Sequence, residues 1–405
     1  MVSAERDDES RASMTWPALT SETYSWVSRP GFGPRTTDNA GLVRYEAAVP
    51  PGVADLAPRL EPEVQAISDE AIRELSRFDA EQGMEIAGFA PVLLRSEAAS
   101  SSQIENLTAS ARAIFSAEFG ARSGSNAELI AANTHALSTA LRDSEMIDSQ
   151  SIREIHRVLM EPQTRHPAGV FRDEQVWIGS RSDSPVGAEF VPPHHSRVPG
   201  LIEDLSKFVE RNDVPVMAAV AISHAQFETI HPFTDGNGRT GRALVQAMFR
   251  QRGITQNVAV PVSAGILTDV PRYHQALTDY RNGDINPIVR IFAEAAFRAV
   301  ENSVQLVDDL RRIRAGWDTQ LTARKNSNAW RLLDILVEHP VLNSATAAAE
   351  LGVAQPNIYP PLKTLVDAGI VKSKAEHGLG PFWRSDEILA AVDAFVQRAG
   401  RRRPA

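Results

Sequence analysis

Apolar residues recur at helical spacing through most of this chain. From Glu63 onward, Val64, Ile67, Ile72, Leu75 and Phe78 form the stripe of an amphipathic helix. Similar patterns predict helices over Val92–Ala99, Leu129–Arg142, Ser151–Met160, Pro199–Arg211, Val216–Thr229, Arg239–Arg252, Thr268–Arg281 and Pro287–Ile313. One stretch departs from this period. Between Gly169 and Pro193 the β-formers Val170, Phe171, Val176, Trp177 and Ile178 are bounded by Gly179, Pro185 and Gly187, which predicts a β-hairpin. Residues 1–40 carry Pro17, Pro30, Gly31, Gly33 and Pro34 and sustain no period, so a flexible tail is expected. Leu42 to Pro62 reads as extended chain over the surface. From Arg324 a new pattern starts: a Trp330–His339 helix, a Ser344–Leu351 helix, a turn at Gly352-Val353-Ala354, a helix over Gln355–Ala368, and a hairpin between Gly369 and Gly380. The expected fold is mainly α, a helical bundle with one hairpin. Its divisions are a tail (1–40), an N-terminal helical region (41–125), a core (126–313) and a C-terminal winged helix-turn-helix domain (324–405).

Composition narrows the class. A length of 405 residues argues for two or three units. Hydrophobic content of 43% and charged content of 23% are those of an ordinary soluble protein. The absence of cysteine excludes disulfides and zinc–thiolate sites and is compatible with a reducing compartment; a cytoplasmic location is expected. Met1 to Ser13 is polar and acidic, without the apolar core of a signal peptide, and no apolar run reaches the ~18 residues of a membrane span. The net charge of -9 argues against nucleic-acid binding by the chain as a whole.

The chemistry concentrates in His231-Pro232-Phe233-Thr234-Asp235-Gly236-Asn237-Gly238-Arg239-Thr240-Gly241-Arg242. Gly236, Asn237 and Gly238 lie between two predicted helices. Small residues let backbone N–H groups turn inward, and the following helix adds its own unpaired N–H groups and positive dipole end, which makes an anion hole suited to phosphates. Arg239 and Arg242 project near the same first turn and offer charge-assisted bonds to phosphate oxygens. Asp235 offers a carboxylate to Mg²⁺. His231, with an ordinary pKa of about 6.5, is a proton acceptor at neutral pH. Gly236-x-Gly238-x-x-Gly241 also fits the dinucleotide fingerprint. A helix rather than a strand precedes it, however, and no acid follows at Pro261–Gly265; a Walker loop would need Lys-Ser/Thr. A plain helix–helix turn would explain any one of these residues, but not all of them within twelve positions.

This loop resembles the Fic family signature His-Pro-Phe-x-Asp/Glu-Gly-Asn-Gly-Arg-x-x-Arg at every defined position. The resemblance implies a protein adenylyltransferase that moves AMP from ATP onto a protein hydroxyl of Ser, Thr or Tyr. His231 would be the general base and Asp235 the Mg²⁺ ligand. Gly236, Asn237 and Gly238 would line the anion hole, Asn237 also touching phosphate, with Arg239 on the outer phosphates and Phe233 buried as an anchor. A kinase-like relative carries lysine at the second loop glycine, so Gly238 points to AMP transfer. Ser101-x-x-x-Glu105-Asn106 resembles the family's inhibitory motif, in which Glu105 would pair with Arg242 and displace the γ-phosphate. Ser101 or Ser102 could equally cap a helix. Val176, Trp177 and Ile178 resemble the target-docking flap; a hairpin packed into the core is the alternative. Tyr273 resembles an adenine-side residue, with plain helix packing as its alternative. His156 reads as a helix-packing residue, and the adjacent His194 and His195 do not by themselves make a metal site.

Residues 324–405 carry eleven basic against eight acidic residues, a slight excess for a DNA-binding module. Pro360 and Pro361 are at odds with the interior of a recognition helix. Protein contact or a homodimer therefore competes with DNA, and a DNA-binding regulator is the competing function. The phosphate-binding loop does not select the base, so another nucleotide such as UTP stays open.

Overall fold

The computed structural model describes residues 16–27, 42–83, 87–179, 183–376 and 379–400. Its body is helical. α1 (Pro62–Gly83), α2 (Ala90–Ile104), α3 (Ala111–Ala117), α4 (Ser125–Arg142), α5 (Ser149–Met160), α6 (Val198–Glu210), α7 (Val216–Ile230), α8 (Asn237–Gln251), α9 (Val262–Leu267), α10 (Val270–Arg281) and α11 (Asn286–Gln320) follow two strands, β1 (Thr20–Val27) and β2 (Leu42–Val49).

The bundle is organised around α7. Every residue from Met217 to Ile230 is buried, as expected of a helix apolar on all sides. α6, α8, α10 and α11 surround it, and α8 packs in turn on α4 and α5. α5 starts where its sequence dictates: Asp148 accepts from the amides of Gln150 and Ser151, while the Ser151 hydroxyl reaches back to the Asp148 amide. α2 lies against α4, α8 and α9. α11 spans 35 residues and runs past the body to support the C-terminal unit.

That unit contains α12 (Asn328–Glu338), β3 (Val341–Asn343), α13 (Ser344–Leu351), a 3₁₀ turn at Gln355–Ile358, α14 (Tyr359–Asp367), β4 (Lys372–Glu376), β5 (Gly380–Arg384) and α15 (Asp386–Ala399). Its strands form one antiparallel sheet in the order β3-β5-β4. α15 docks onto α2, α3 and α11. The Asp393 carboxylate accepts the Ala111 amide at 2.7 Å, and Val396 packs on a small cluster of Ala99, Ile114 and Ile130.

Several expectations need correction. Part of the expected 1–40 tail is ordered: Thr20–Val27 pairs antiparallel with Leu42–Val49, and Trp16 is buried against Phe208 and Tyr280. The remainder of that tail lies outside the described residues. Among the described residues, the hairpin expected over Gly169–Pro193 is reduced to a single antiparallel bridge, Ile178↔Phe190, with bonds of 2.8 and 3.1 Å. Backbone groups before it bond elsewhere: the Gly169 amide donates to His156 and the Arg172 amide to Pro232. The helix expected over Gln355–Ala368 is a 3₁₀ turn followed by α14. Pro360 and Pro361 fall in the first turn of α14, where a missing N–H costs no helical bond. α15 was not foreseen.

Candidate functional site

The loop 231–242 joins α7 to α8. α7 ends at His231, which takes a left-handed conformation (φ 50°, ψ 61°) that is costly for a residue with a Cβ and therefore needs support. Arg172 provides it. Its guanidinium is buried and donates to the carbonyls of His231 (2.8 Å), Ile230 (3.3 Å), Glu174 (3.0 Å) and Pro193 (2.5 Å). A cation on the last carbonyls of a helix is also favoured by the helix dipole.

Beyond His231 the turn is fixed from inside. Phe233 is fully buried, and the His156 ring stacks on it at 3.6 Å, nearly parallel. His156 Nδ1 accepts the Gly169 amide at 2.9 Å, so its other nitrogen carries the proton and donates to the Asp235 carbonyl at 3.0 Å. Burial holds its pKa down at about 4, which keeps it neutral. The expectation that His156 packs is correct in placement, and its two hydrogen bonds also tie the loop to α5. The Asn237 side chain accepts the Phe233 amide and donates to the Phe233 carbonyl, both at 2.9 Å. These two bonds make Asn237 the residue that closes the turn. Gly236 has φ 76°, and a Cβ there would press on Met160 and Leu159.

Two arginines follow. Arg239 is 4% exposed; its Nε and Nη1 are buried without a hydrogen-bond partner, and Asp235 stands 3.8 Å from its Nη2. Arg242 is fully committed. Its Nε donates to the Ser101 hydroxyl at 2.9 Å, and its Nη2 to the Ser101 carbonyl at 2.9 Å and to Glu105 Oε1 at 2.8 Å. Glu105 caps the C-terminal end of α2, so the position read either as helix start or as Arg242 partner is a helix end that pairs with Arg242. The Glu105 carboxylate lies over Gly238, where a Cβ would collide with it. Burial would raise the Glu105 pKa, but Arg242, with help from Arg239, brings it below the usual value and keeps it charged.

His231 is neutral for the opposite reason. Burial, with Arg172 and Arg281 nearby, lowers its pKa to about 4, and its Nδ1 is buried without a partner. Behind Arg242 lies Glu228, a residue no motif pointed to. It is buried with Oε1 unpartnered, and burial raises its pKa to about 7 against the pull of Arg242. Tyr273 is also corrected. It is 2% exposed, and its hydroxyl lies 2.7 Å from His224 Nε2, so the packing alternative describes it. Val176 and Trp177 are half-buried and Ile178 is 39% exposed; Trp177 meets Trp26 of β1 edge-on at 5.2 Å. His194 stacks on Tyr24 at 4.4 Å.

Among the described residues no cluster of three His, Cys, Asp or Glu could hold a metal. Asp235 is half-exposed and only loosely paired. A single free carboxylate of this kind fits Mg²⁺ shared with phosphate oxygens and water, rather than a metal caged by protein. No helix among the described residues is long and apolar enough to cross a membrane.

Comparison with known proteins agrees with this geometry. Residues 146–249 match the model of the Fic/DOC family. "Protein adenylyltransferase Fic" of Nematostella vectensis is 29% identical over 167 residues, 40% of this chain and 36% of the relative. "Protein adenylyltransferase fic-1" of Caenorhabditis briggsae is 29% identical over 169 residues, 40% of this chain and 30% of the relative. The aligned part thus spans about a third of these relatives. A Fic family protein from Desulfovibrio desulfuricans G20 shares the fold at a TM-score of 0.52 and 20% identity, covering 81% of this chain and 97% of its own.

Proposed function

We propose that this chain, which carries a Fic/DOC-family domain over residues 146–249, transfers AMP from ATP to a hydroxyl side chain of a protein, itself included. The observation that carries the reading is Arg239: a buried guanidinium with two unpartnered nitrogens, next to the 236–238 turn and the neutral His231. A buried, unsatisfied cation is costly unless an anion completes it. The names of the aligned relatives support the same reaction.

His231 accepts the proton of the target hydroxyl, and its oxygen attacks the α-phosphorus in line as pyrophosphate leaves. The loop amides and Arg239 hold phosphate oxygens, so the rate comes from positioning and charge stabilisation. Asp235 would hold Mg²⁺, which when bound draws charge from the α- and β-phosphates. Glu105 restrains the reaction by engaging Arg242 and covering Gly238. Val176, Trp177 and Ile178 offer an extended target a pairing segment. The C-terminal unit is read as a winged helix that contacts protein: three of its eleven cations are engaged within it, Lys363 with Asp367, and Lys372 and Arg384 with Asp386.

The test is intact mass after incubation with ATP and Mg²⁺. Glu105→Gly should gain an AMP-sized increment that Glu105→Gly/His231→Ala does not. No increment in either protein would remove the proposal, and a UTP arm separates nucleotide choice from chemistry.

A further inference from the structure

The helices that carry Glu105 and Arg242 meet a second time at their opposite ends. There α2 presents Leu94 and Arg95, and the last turn of α8 presents Arg250. A cleft of about 420 Å³ opens between them, closed on one side by His135 and Ser138 of α4 and on another by His339 of the C-terminal unit.

Its charges do not balance. Arg95 is spent: Nε and Nη2 hold Glu118 at 2.7 to 3.0 Å, and Nη1 donates to the Pro91 carbonyl at 2.9 Å. Glu118 is thereby neutralised. The Asn257 amide group, also in the lining, is bound to Asp79. The Ser138 hydroxyl donates to the Thr134 carbonyl. Arg250 is left over. Its Nε is buried and makes no hydrogen bond, and among the described residues no carboxylate stands within ion-pair reach. Arg250 lines the cleft with no carboxylate among the described residues to pair it, and an uncompensated guanidinium in such a place marks where an anion fits.

We infer that this cleft binds a small organic anion, its phosphate or carboxylate on Arg250 and its apolar body against Leu94. Such a ligand bridges α2, α4, α8 and the C-terminal unit in the arrangement in which Glu105 holds Arg242. It therefore stabilises the restrained state in proportion to its preference for it. That regulatory consequence rests on the adenylyltransferase reading; the binding site does not.

The probes are phenyl phosphate, benzoate and inorganic phosphate, titrated by calorimetry at constant ionic strength without nucleotide. Wild type should bind phenyl phosphate or benzoate more tightly than inorganic phosphate. Arg250→Met should bind about tenfold more weakly, the loss of one charge-assisted pair. Ser138→Trp, an exposed change that keeps Arg250, should block binding while melting like wild type. Binding that is equal in Arg250→Met and wild type, or no binding of any probe, overturns the site. If the site stands, the tighter probe should slow self-modification of wild type but not of Glu105→Gly; equal slowing of both overturns the coupling. The titrations contain no nucleotide, so a failure of AMP transfer leaves them intact, and their failure leaves the transfer assay intact.

Discussion

Replacing Arg172 by methionine tests whether the loop geometry is held from below. The side chain is 4% exposed and donates to four carbonyls, two of them the last of α7. Each carbonyl left buried without a donor costs about 1–3 kcal/mol. Against that stands the relief of no longer burying a charge, which is several kcal/mol and is registered in the guanidinium itself, whose pKa burial lowers to about 10. The balance expected is a loss of about 3 kcal/mol, within what a stable domain survives, read as a lower urea midpoint at unchanged slope. A purely structural role would stop there, whereas a positioning role reaches His231. Its pKa lies near 4 through burial, then Arg172, then Arg281. Removing the nearby cation raises that pKa toward about 6.5, so the acid limb of the self-modification rate should begin at higher pH. Arg172→Lys keeps the charge but loses the planar fork; it should be destabilised yet hold its acid limb near that of wild type. An acid limb that stays put in Arg172→Met, or moves to lower pH, refutes the electrostatic link.

Two further outcomes are expected. Glu228 has its pKa raised by burial to about 7, so between about pH 4.5 and 7 the folded chain keeps a proton that the unfolded chain has lost, and this contribution to stability disappears as pH rises. Glu228→Gln should therefore melt with a flatter dependence between about pH 4.5 and 7 than wild type, and identical slopes would contradict the burial argument. Asn237→Ala strands the Phe233 amide and carbonyl and should cost about 2 kcal/mol together with most of the transfer activity, measured by thermal melting and labelled ATP; an unchanged melt would show that the side chain does not close the turn.

The site was legible to different depths. The residues of the loop could be read because local spacing puts a base, an acid, small residues and two cations at the head of one helix. The pairing of Glu105 with Arg242 came from resemblance, since no periodicity links residues so far apart in sequence. Arg172 was missed because a lone arginine among β-formers looks like a strand position; its partners are all backbone carbonyls, which leave no trace in residue types. Glu228 was hidden in a helix buried on every side, where any polar residue passes for packing. β1 did carry a signal: Glu22, Tyr24 and Trp26 alternate with exposed Ser21, Thr23 and Ser25. The nearby prolines and glycines masked it. The opposite error, over-reading Val170 to Ile178 as a hairpin, took β-propensity for backbone pairing that tertiary bonds had claimed.

The docking of α15 beneath α2 also sets an order in time. During synthesis the loop from His231 to Arg242 leaves the ribosome well before the helix that carries Asp393 and Val396. The segment bearing Glu105 gains its last support, the Asp393 grip on the Ala111 amide, only when the C-terminal helix has been made and has folded back. In a nascent or C-terminally clipped chain the transfer machinery would thus be assembled before its restraint is fully seated.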